Sequence, residues 1–381
     1  MPVTIKKVQS RRDLKTFVRF PEKLYKDNKY YVPKIEFDQI DTLDPKVSPS
    51  AEFCDSALYL AYKDDELVGR VAAIVNNKAN EQWNHKEVRF GWYDFVDDKE
   101  VSKALMDKVE EFGREHEMDA IVGPLGFTDF DPEGMLVAGY DKLSTMALIY
   151  NHPYYVDHVE SMGFEKEIDW FEYKVTVPKD HLPEKLERVA NIVKDRYGVH
   201  VRPITKKLLK QNNGEYVEKI FGIINECYKV LYNYTVLPRS MADKYIGFYL
   251  KVLDLKYVTV LEDSNNEIVA FGICMPSIVE ALQKSRGRLF PFGWVHFLKS
   301  LYLKHEPGVE AMLIGVRPDY QNTGINSLIW ADMFEKVRND HFEWAETNAI
   351  LETNFKNASQ WNLFECEGGK VRRSYKKILE K

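Results

Sequence analysis

Apolar and polar positions alternate with two different periods along this chain, which predicts strands and helices in mixed order. Ala57–Lys63 and Leu67–Val75 alternate with period two around an Asp-Asp pair, which predicts a β-hairpin. Val101–His116 carries apolar residues at helical spacing and is predicted to be an amphipathic helix. Lys34–Ser50 has little periodicity and several Pro and Asp residues, so we expect a loop there.

The second half of the chain repeats the organisation of the first. The hairpin sequence KDDELVGRVAAIV is matched by DSNNEIVAFGICM, and similar strands and helices follow each in the same order. A period of about half the chain is too long for a solenoid and indicates a duplicated domain, although unrelated α+β segments can also be aligned this loosely. Two prolines in a polar stretch mark a linker between 1–178 and 184–381. Further helices are predicted at Lys206–Tyr232, Leu289–Leu303 and Asn357–Glu365.

A strand, a polar loop and a helix in succession carry the most chemical information. Ala311–Val316 is an apolar run that predicts a central strand, and Pro318 ends it. The loop Gln321–Asn326 contains Gly324 and leads into a predicted helix. This order of elements turns backbone N–H groups and the positive end of a helix dipole towards a phosphate, although an ordinary strand-to-helix connection has the same outline.

The stretch Val316–Gly324, with the pattern V-x-P-x-Y-Q-x-x-G, is similar to the pyrophosphate-binding motif Q/R-x-x-G-x-G/A of the GNAT N-acetyltransferase family. The resemblance covers most of the second half. It implies two tandem GNAT-like folds of the mixed α+β class, each a mostly antiparallel sheet flanked by helices, with acetyl-CoA or a longer acyl-CoA as co-substrate. The residues implied to contact pantetheine are Ile314, Gly315 and Val316, and those implied to hold pyrophosphate are Gln321, Asn322, Thr323, Gly324, Ile325 and Asn326.

Two positions depart from the family pattern. Asn326 stands where the family usually has Gly or Ala, and asparagine tolerates unusual backbone angles better than most residues. Phe364 stands where a tyrosine often protonates the departing CoA thiolate, and phenylalanine has no proton to give. Either another residue acts as the acid, or the thiolate leaves unaided, or the domain only binds acyl-CoA.

The first half lacks the phosphate-binding loop. Its connection Asp97–Glu100 has no glycine and carries three carboxylates, which would repel a pyrophosphate. We therefore expect the first half to be a degenerate GNAT-like fold, which binds no CoA and forms a wall of the acceptor pocket. Such a tandem arrangement is similar to those of the Fem-type aminoacyl transferases and the N-myristoyltransferases.

Acceptor-binding residues are expected in two segments. Asp129 and Asp131, in the glycine-rich loop Gly123–Gly134, could face an amine or could cap the turns of a solvated loop. Tyr232 and Tyr234 follow a long predicted helix, at the place where family members wrap the substrate, and could equally be packing aromatics.

Amide formation needs a base, because only the free amine attacks a thioester. Family members often place a carboxylate on the strand before the CoA loop, and Glu310 stands at the start of that strand. The alternative interpretation of Glu310 is a surface residue at a strand end. Glu346 and Glu352, near the next strand, are competing candidates.

Composition narrows the class of protein. Hydrophobic residues make up 45% and charged residues 29% of the 381 residues, as in globular proteins, and the net charge of -6 gives no basic footprint for nucleic acid. The four cysteines lie far apart without metal spacing, so we expect reduced thiols and no metal. No segment has the apolar length of a membrane span and the N-terminus does not resemble a signal peptide, so we expect a cytoplasmic protein.

The segment Gly287–His305 is strongly apolar, with basic residues at its borders. Such a segment could lie on a membrane surface, as a peripheral contact through residues 287–305, or could line a long acyl channel. We favour a third interpretation, in which it is an insertion packed between the two halves.

Taken together, these patterns favour an enzyme that transfers an acyl group, first of all acetyl, from acyl-CoA to the amine of a small molecule or peptide. A non-catalytic acyl-CoA-binding or sensing protein is one alternative, and Phe364 supports it. A Fem-type transferase that uses aminoacyl-tRNA is the other, and the net charge of -6 weighs against it.

Overall fold

The structure is a computed structural model that describes residues 2–354, 358 and 360–380. The helices of the first half are α1 (Arg11–Leu24), α2 (Glu36–Leu43), α3 (Asn77–Trp83), α4 (Lys99–Glu115) and α5 (Tyr154–Ser161). Those of the second half are α6 (Glu184–Tyr197), α7 (Lys206–Lys210), α8 (Glu215–Tyr228), α9 (Arg239–Val252), α10 (Val279–Ser285), α11 (Gly293–Leu298) and α12 (Asn326–Asn339).

The strands of the first half are β1 (Thr4–Lys7), β2 (Cys54–Lys63), β3 (Glu66–Asn76), β4 (Glu87–Phe95), β5 (Ala120–Gly123), β6 (Met135–Ala138) and β7 (Glu165–Thr176). Those of the second half are β8 (His200–Arg202), β9 (Val258–Glu262), β10 (Ile268–Pro276), β11 (Gly308–Val316), β12 (Trp344–Thr347), β13 (Ile350–Leu351) and β14 (Cys366–Ile378).

Within the described residues the strands form one continuous sheet, in the order β1-β2-β3-β4-β5-β14-β7-β12-β11-β10-β9-β8. Neighbouring strands run antiparallel except for the parallel pairs β4–β5 and β11–β12. The short strands β6 and β13 pair with β14 and β7. Helices flank this sheet, which confirms the predicted mixed, mostly antiparallel architecture.

The two halves exchange their last strands. β7 ends the first half but pairs with β12 of the second, and β14 ends the second half but pairs with β5 of the first. The sheet order therefore reads the same from either edge when each strand is replaced by its counterpart in the other half. The division of the chain into domains 1–178 and 184–381 stays a prediction, because one sheet includes strands of both segments without a gap.

Each half packs an amphipathic helix against its part of the sheet. In the first half, α4 buries Leu105 and Val109 in a core shared with β3 and β4. In the second half, α12 buries Ile329 and Met333 in a core shared with β9 and β10. The helical spacing of these apolar residues is the same signal that predicts both helices from the sequence.

A buried ionic network joins the exchanged strands. Arg372 Nε donates to Glu172 Oε1 at 2.5 Å, and Lys370 Nζ lies 2.8 Å from Glu172 Oε2. Lys370 also lies 2.5 Å from Glu346 on β12. Removing one partner from such a buried network leaves an uncompensated charge at a cost of about 3–5 kcal/mol. The network therefore favours the observed register of β7 and β14.

Two predicted segments are corrected by the structure. Lys34–Ser50, expected to be a loop, contains α2, whose eight residues make about two turns and are too few for a clear period. Lys206–Tyr232, expected to be one helix, is interrupted at Gly214, which has φ 86°. A backbone angle in this left-handed region suits glycine and breaks a helix.

Two further predictions concern the second half. The segment Leu289–Leu303 is helical from Gly293 onwards, as α11 and a π-helical turn at Lys299–Leu303. Asn357, at which a short helix is predicted to begin, lies outside the described residues.

Candidate functional site

The parallel strands β11 and β12 separate after a short stretch of pairing. Their register runs only from Gly308 opposite Trp344 to Ala311 opposite Thr347. The Asn348 backbone N–H still donates to the Ala311 carbonyl at 3.1 Å, and β13 then pairs with β7 instead of β11. The remainder of β11 thus faces a splay between the strands, as the GNAT resemblance implies.

A cavity of about 620 Å³, here called the splay cavity, fills this opening. Its walls come from β11, from the loop before α12, from the 347–351 segment and from the turn after α8. The predicted residues that line it are Asp129, Tyr232, Tyr234, Ile314, Gly315, Val316, Gln321, Asn322, Gly324, Ile325 and Asn326. Most of the residues implied by the resemblance therefore meet at one place.

The loop before α12 offers backbone donors at one end of the splay cavity. Within the described part of the chain, no acceptor is hydrogen-bonded to the backbone N–H groups of 322–326. Asn322 and Gly324 have φ of 63° and 86°. Left-handed residues in such a turn form concavities in which successive N–H groups bind anions, so the loop fits a pyrophosphate.

The helix that follows the equivalent strand in the first half is closed to an anion. The N-terminus of α4 is capped by Asp98, whose side chain accepts a hydrogen bond from the Glu100 N–H and pairs with Lys63 at 2.6 Å. At α12 the corresponding residue is Ile325, which makes no side-chain cap. A carboxylate therefore occupies the positive end of one helix, while the other remains open to a ligand.

The carbonyls of Ile314 and Val316 accept hydrogen bonds from side chains of the splay-cavity wall. Tyr228 donates its hydroxyl to Ile314 at 2.9 Å, and Cys227 Sγ lies 2.9 Å from the Val316 oxygen. Gln321 Nε2 also donates to Val316 at 3.1 Å. These side chains mark the edge of β11 along which the pantetheine arm is implied to lie.

The predicted base Glu310 does not line the splay cavity. Its carboxylate is buried and accepts a hydrogen bond from the Met146 N–H at 3.2 Å. Burial, with the neighbouring Glu346, raises the pKa of Glu310 to about 8. The geometry places Glu310 at the seam between the halves, so its catalytic role stays a prediction that this position does not favour.

The competing carboxylates are also engaged elsewhere. Glu346 pairs with Lys370 in the buried network. Glu352 pairs with Lys166 at 2.8 Å and accepts a hydrogen bond from the Asp169 N–H at 3.1 Å. Neither residue lines the splay cavity.

A different pair of carboxylates does reach it, from the glycine-rich loop of the first half. Asp129 and Glu133 both line the splay cavity, and Asp129 Oδ2 accepts a hydrogen bond from the Thr235 N–H at 3.0 Å. Burial raises the pKa of Asp129 to about 6. Burial, and then the charge of Asp129, raises the pKa of Glu133 well above its ordinary value. Two neighbouring carboxyls with raised pKa values can accept and hold a proton near neutral pH.

Glu133 is the residue that the sequence analysis missed. It stands two residues after Asp131 in the same acidic loop, and that spacing is the signal from which it could have been found. Asp131 itself lines the adjoining apolar cavity rather than the splay cavity, and it accepts a hydrogen bond from the Thr128 N–H at 3.1 Å. Burial raises the pKa of Asp131 to about 6.

A second cavity, here called the apolar cavity, adjoins the splay cavity and has a volume of about 180 Å³. The two share Asp129, Glu133, Trp170, Met312 and Asn348 among their lining residues. Beyond these shared residues the apolar cavity is walled almost entirely by aliphatic and aromatic side chains, including Ile204, Val217, Ile220, Ile224, Leu255 and Ile273. The two carboxylates therefore lie where the splay cavity meets the apolar cavity.

The two predicted substrate-binding tyrosines differ in the hydrogen bonds that their hydroxyl groups make. Tyr234 donates its hydroxyl to Asn225 Oδ1 at 2.9 Å, so it is held in place. The hydroxyl of Tyr232 is buried beside the Asn233 side chain and makes no hydrogen bond of ordinary geometry to the described residues. Burial raises the pKa of Tyr232, so its hydroxyl keeps its proton. A proton donor is thus available in the splay cavity.

Asn326 and Phe364, the two residues that depart from the family pattern, both contact neighbouring side chains. Asn326 Nδ2 donates to Gln360 Oε1 at 3.0 Å, which ties the start of α12 to the segment after β13. Phe364 stacks on Phe334 with ring centroids 4.5 Å apart and serves as packing. Thr323 donates its hydroxyl to the Tyr320 carbonyl at 2.6 Å and stabilises the loop from inside.

The described residues contain neither a group of metal-binding side chains nor a membrane-spanning helix. No three His, Cys, Asp or Glu side chains are grouped so that they could hold a metal ion. No helix in the described ranges has the length and apolarity needed to cross a membrane.

Two curated proteins are related to this chain over most of its length. Protein YghO of Escherichia coli strain K12 is 26% identical over 375 residues, which cover 96% of this chain and 92% of that protein. The bacterial ceramide synthase of Caulobacter vibrioides is 24% identical over 318 residues, which cover 83% of this chain and 81% of that protein. No family model matches the chain.

Solved structures of GNAT proteins share the fold. A tandem GNAT protein from the clavulanic acid biosynthesis pathway superposes with a TM-score of 0.58 at 10% identity, covering 100% of this chain and 99% of that one. A GCN5-related N-acetyltransferase from Sphaerobacter thermophilus superposes with a TM-score of 0.51 at 10% identity, covering 100% of this chain and 96% of that one. With the splay, the open helix N-terminus and the symmetric strand order, these likenesses show that the chain has the tandem GNAT fold.

Proposed function

We propose that this protein is an acyl-CoA-dependent N-acyltransferase that joins a long acyl chain to an amine. The observation that carries the proposal is the junction of the two cavities at Asp129 and Glu133. The splay cavity ends at open backbone donors that suit a pyrophosphate, and the apolar cavity suits a hydrocarbon chain. A thioester that spans both would place its reactive carbonyl near the two carboxylates.

The apolar cavity favours a chain longer than acetyl. Each buried CH₂ contributes roughly 0.8 kcal/mol to binding, so an aliphatic wall selects long chains over short ones. The relative named bacterial ceramide synthase supports the same reading. A ceramide is the amide of a fatty acid with a long-chain amino alcohol, and we propose an acceptor of that chemical class.

Residues near the junction of the two cavities carry out the proton transfers of the reaction. Glu133, beside Asp129, takes a proton from the substrate ammonium and leaves a free amine. The amine nitrogen then forms a bond to the thioester carbon, and the carbon–sulfur bond breaks. The nitrogen loses its remaining extra proton, which restores the hydroxyl of Tyr232 after that residue has protonated the sulfur. Tyr232 supplies a proton to the departing sulfur, in the role that Phe364 cannot perform. Acyl-CoA supplies only the activated acyl group.

The amide product tests this proposal directly. Purified protein is incubated with palmitoyl-CoA and sphinganine, and both the amide and free CoA are measured by mass spectrometry. We expect the two products in equal amounts, and Tyr232→Phe should slow their formation without weakening acyl-CoA binding. Binding of palmitoyl-CoA without turnover over a broad panel of amines would support the non-catalytic alternative instead.

A further inference from the structure

Strongly exposed apolar side chains are concentrated in one short segment of the chain. Of fourteen large apolar residues that are markedly exposed among the described residues, seven lie between positions 290 and 303. Phe290 is 79% exposed, Phe292 73% and Leu303 82%. A cluster of this kind on a folded surface marks a place of interaction, whereas single exposed apolar residues need no explanation. We call it the 290–303 surface.

The segment that carries the 290–303 surface is anchored by side chains that are buried on its inner side. Phe297 is buried, and Leu301 packs against the same cluster, which includes Val32 from the first half and Val279 from α10. Ser300 is also buried, and its hydroxyl donates to Glu306 at 3.1 Å. The packing expected from the sequence is therefore present on one side only. The outer side, with Trp294, Leu298 and Tyr302, remains in solvent.

The segment that carries this surface contains basic residues and no acidic ones, although carboxylates of neighbouring elements lie beside it. Between residues 281 and 305 the sequence carries five Lys or Arg residues and no Asp or Glu, although the whole chain has a net charge of -6. Lys284 pairs with Glu280, and Arg288 pairs with Glu22 and Glu36. The cations without an ion pair to any described residue are Arg286, Lys299 and Lys304.

The 290–303 surface also adjoins the apolar cavity. The cluster that supports its inner side includes Leu253 and Met312. Both residues line the apolar cavity from the other side. One layer of apolar side chains thus separates the exposed surface from the space proposed for an acyl chain.

We propose that the 290–303 surface binds the headgroup region of a membrane that contains anionic lipids. Aromatic and aliphatic side chains in a short helix enter the boundary between headgroups and acyl chains, and flanking Lys and Arg residues attract anionic lipids. A protein partner is disfavoured because lysines are depleted from protein interfaces. This inference goes beyond the proposed function and does not depend on it, since docking requires no acyl-CoA.

Vesicle co-sedimentation of the full chain tests the proposal. We expect binding to vesicles of phosphatidylglycerol and phosphatidylethanolamine, and weaker binding to phosphatidylcholine alone. The triple variant Phe290→Ser, Phe292→Ser, Leu303→Ser should lower the partition coefficient by at least about tenfold. Lys299→Glu with Lys304→Glu should lower it by about tenfold or more on anionic vesicles only.

A matched control substitutes exposed apolar residues outside this surface. Val47 is 54% and Ile378 66% exposed, so Val47→Ser with Ile378→Ser removes similar side chains elsewhere and should leave the partition coefficient unchanged. Absence of vesicle binding by the wild-type chain would overturn the proposal. So would equal losses in the triple variant and the control. A dimer that dissociates in the triple variant, together with vesicle binding that does not change, would assign the surface to a second copy of the chain.

Discussion

At the scale of single residues, the loop Gly123–Gly134 of the first half supplies the carboxylates that the second half needs. Asp129 is tied to the Thr235 N–H, while no described residue donates a hydrogen bond to Glu133. Glu133 is therefore the member of the pair that can meet a substrate ammonium. Burial raises the pKa of both carboxyls, and the charge of Asp129 raises that of Glu133 further.

Replacing Glu133 by Gln should lower kcat by roughly 10²–10⁴-fold and leave acyl-CoA affinity nearly unchanged, because a proton acceptor is lost but the pantetheine and phosphate contacts remain. In the wild-type protein, kcat/KM should rise with pH along a limb that lies well above the ordinary pKa of a glutamate, as Glu133 loses its proton. Steady-state kinetics from pH 5 to 9 measures both effects. The control is Glu352→Gln, which breaks a surface ion pair with Lys166 and should leave the pH profile intact.

Glu310 gives a prediction about stability rather than turnover. Its pKa is about 8 in the folded chain and near 4.5 in the unfolded chain, so the native state binds more protons between these values. The free energy of unfolding should therefore fall as pH rises from about 5 to 8, and in Glu310→Gln this part of the fall should be absent. We expect the variant to gain roughly 1–3 kcal/mol relative to wild type between pH 5 and 8, measured by urea unfolding. A large loss of turnover in Glu310→Gln would instead restore its predicted role as the base.

The sequence identifies most of the residues that line the site, but it does not show which residues lie next to them in the folded chain. Gln321–Asn326 and Ile314–Val316 are consecutive, so a local motif finds them. Glu133 is far from that motif in the sequence, and only the packing of the first half against the second brings it to the splay cavity. Glu310 is on the same strand as Ile314 but does not line that cavity. The resemblance implies Glu310 as the base because family members often carry a carboxylate on that strand, and no pattern in the sequence shows that the loop Gly123–Gly134 reaches the same cavity.

At the scale of elements, the N-termini of two equivalent helices differ in whether a side chain caps them. α4 and α12 follow the corresponding strands β4 and β11, yet only α4 has a carboxylate cap. The lack of glycine and the acidic residues in Asp97–Glu100 predict this difference from the sequence alone. The splay of β11 from β12 could be expected only through the resemblance, because it arises from β13 pairing with β7.

Gly324 can be tested with a glycine in the same backbone conformation. Gly324→Asp should lower CoA affinity by at least about 100-fold, because the φ of 86° strains any side chain, a Cβ there would press on Val189 and Val193 of α6, and a negative charge would be added to the phosphate-binding loop. Gly163 has a φ of 84° with no atom near its missing Cβ, so Gly163→Asp carries similar strain outside the site. Calorimetric titration with CoA compares the two variants. Equal affinities would refute the loop assignment.

The chain-length selectivity should depend on the wall of the apolar cavity. Ile273 on β10 lines that cavity and does not line the splay cavity. Ile273→Trp should fill part of the cavity and weaken palmitoyl-CoA binding by at least about tenfold, while the affinity for CoA stays the same. Competition binding with the two ligands measures this difference. A parallel loss for both ligands would indicate a general distortion of β10 instead.

At the scale of the whole molecule, the exchanged strands make the two halves interdependent. β14 lies between β5 and β7, so the first half alone lacks the strand that joins its own parts. The duplication could be predicted from the matching hairpins, but the exchange could not. The pairs Arg372–Glu172 and Lys370–Glu346 connect residues far apart in the sequence, so the matching hairpins give no sign of them.

Fragments 1–178 and 184–381 should not fold separately. Each would expose the edge left by the missing strand and the unpaired charges of the buried network. We expect each fragment alone to show no cooperative thermal unfolding by circular dichroism, and the two co-expressed fragments to co-purify with cooperative unfolding. Independent cooperative folding of either fragment would contradict this account and support two separable domains.

Binding of a long acyl-CoA by the full chain is the measurement that tests the central claim most directly. Calorimetric titration with CoA, acetyl-CoA and palmitoyl-CoA reports on the phosphate-binding loop and on the apolar cavity together. The account predicts that all three bind at one site, with palmitoyl-CoA at least about 100-fold tighter than CoA. Absence of binding, or equal affinity for the three ligands, would contradict it.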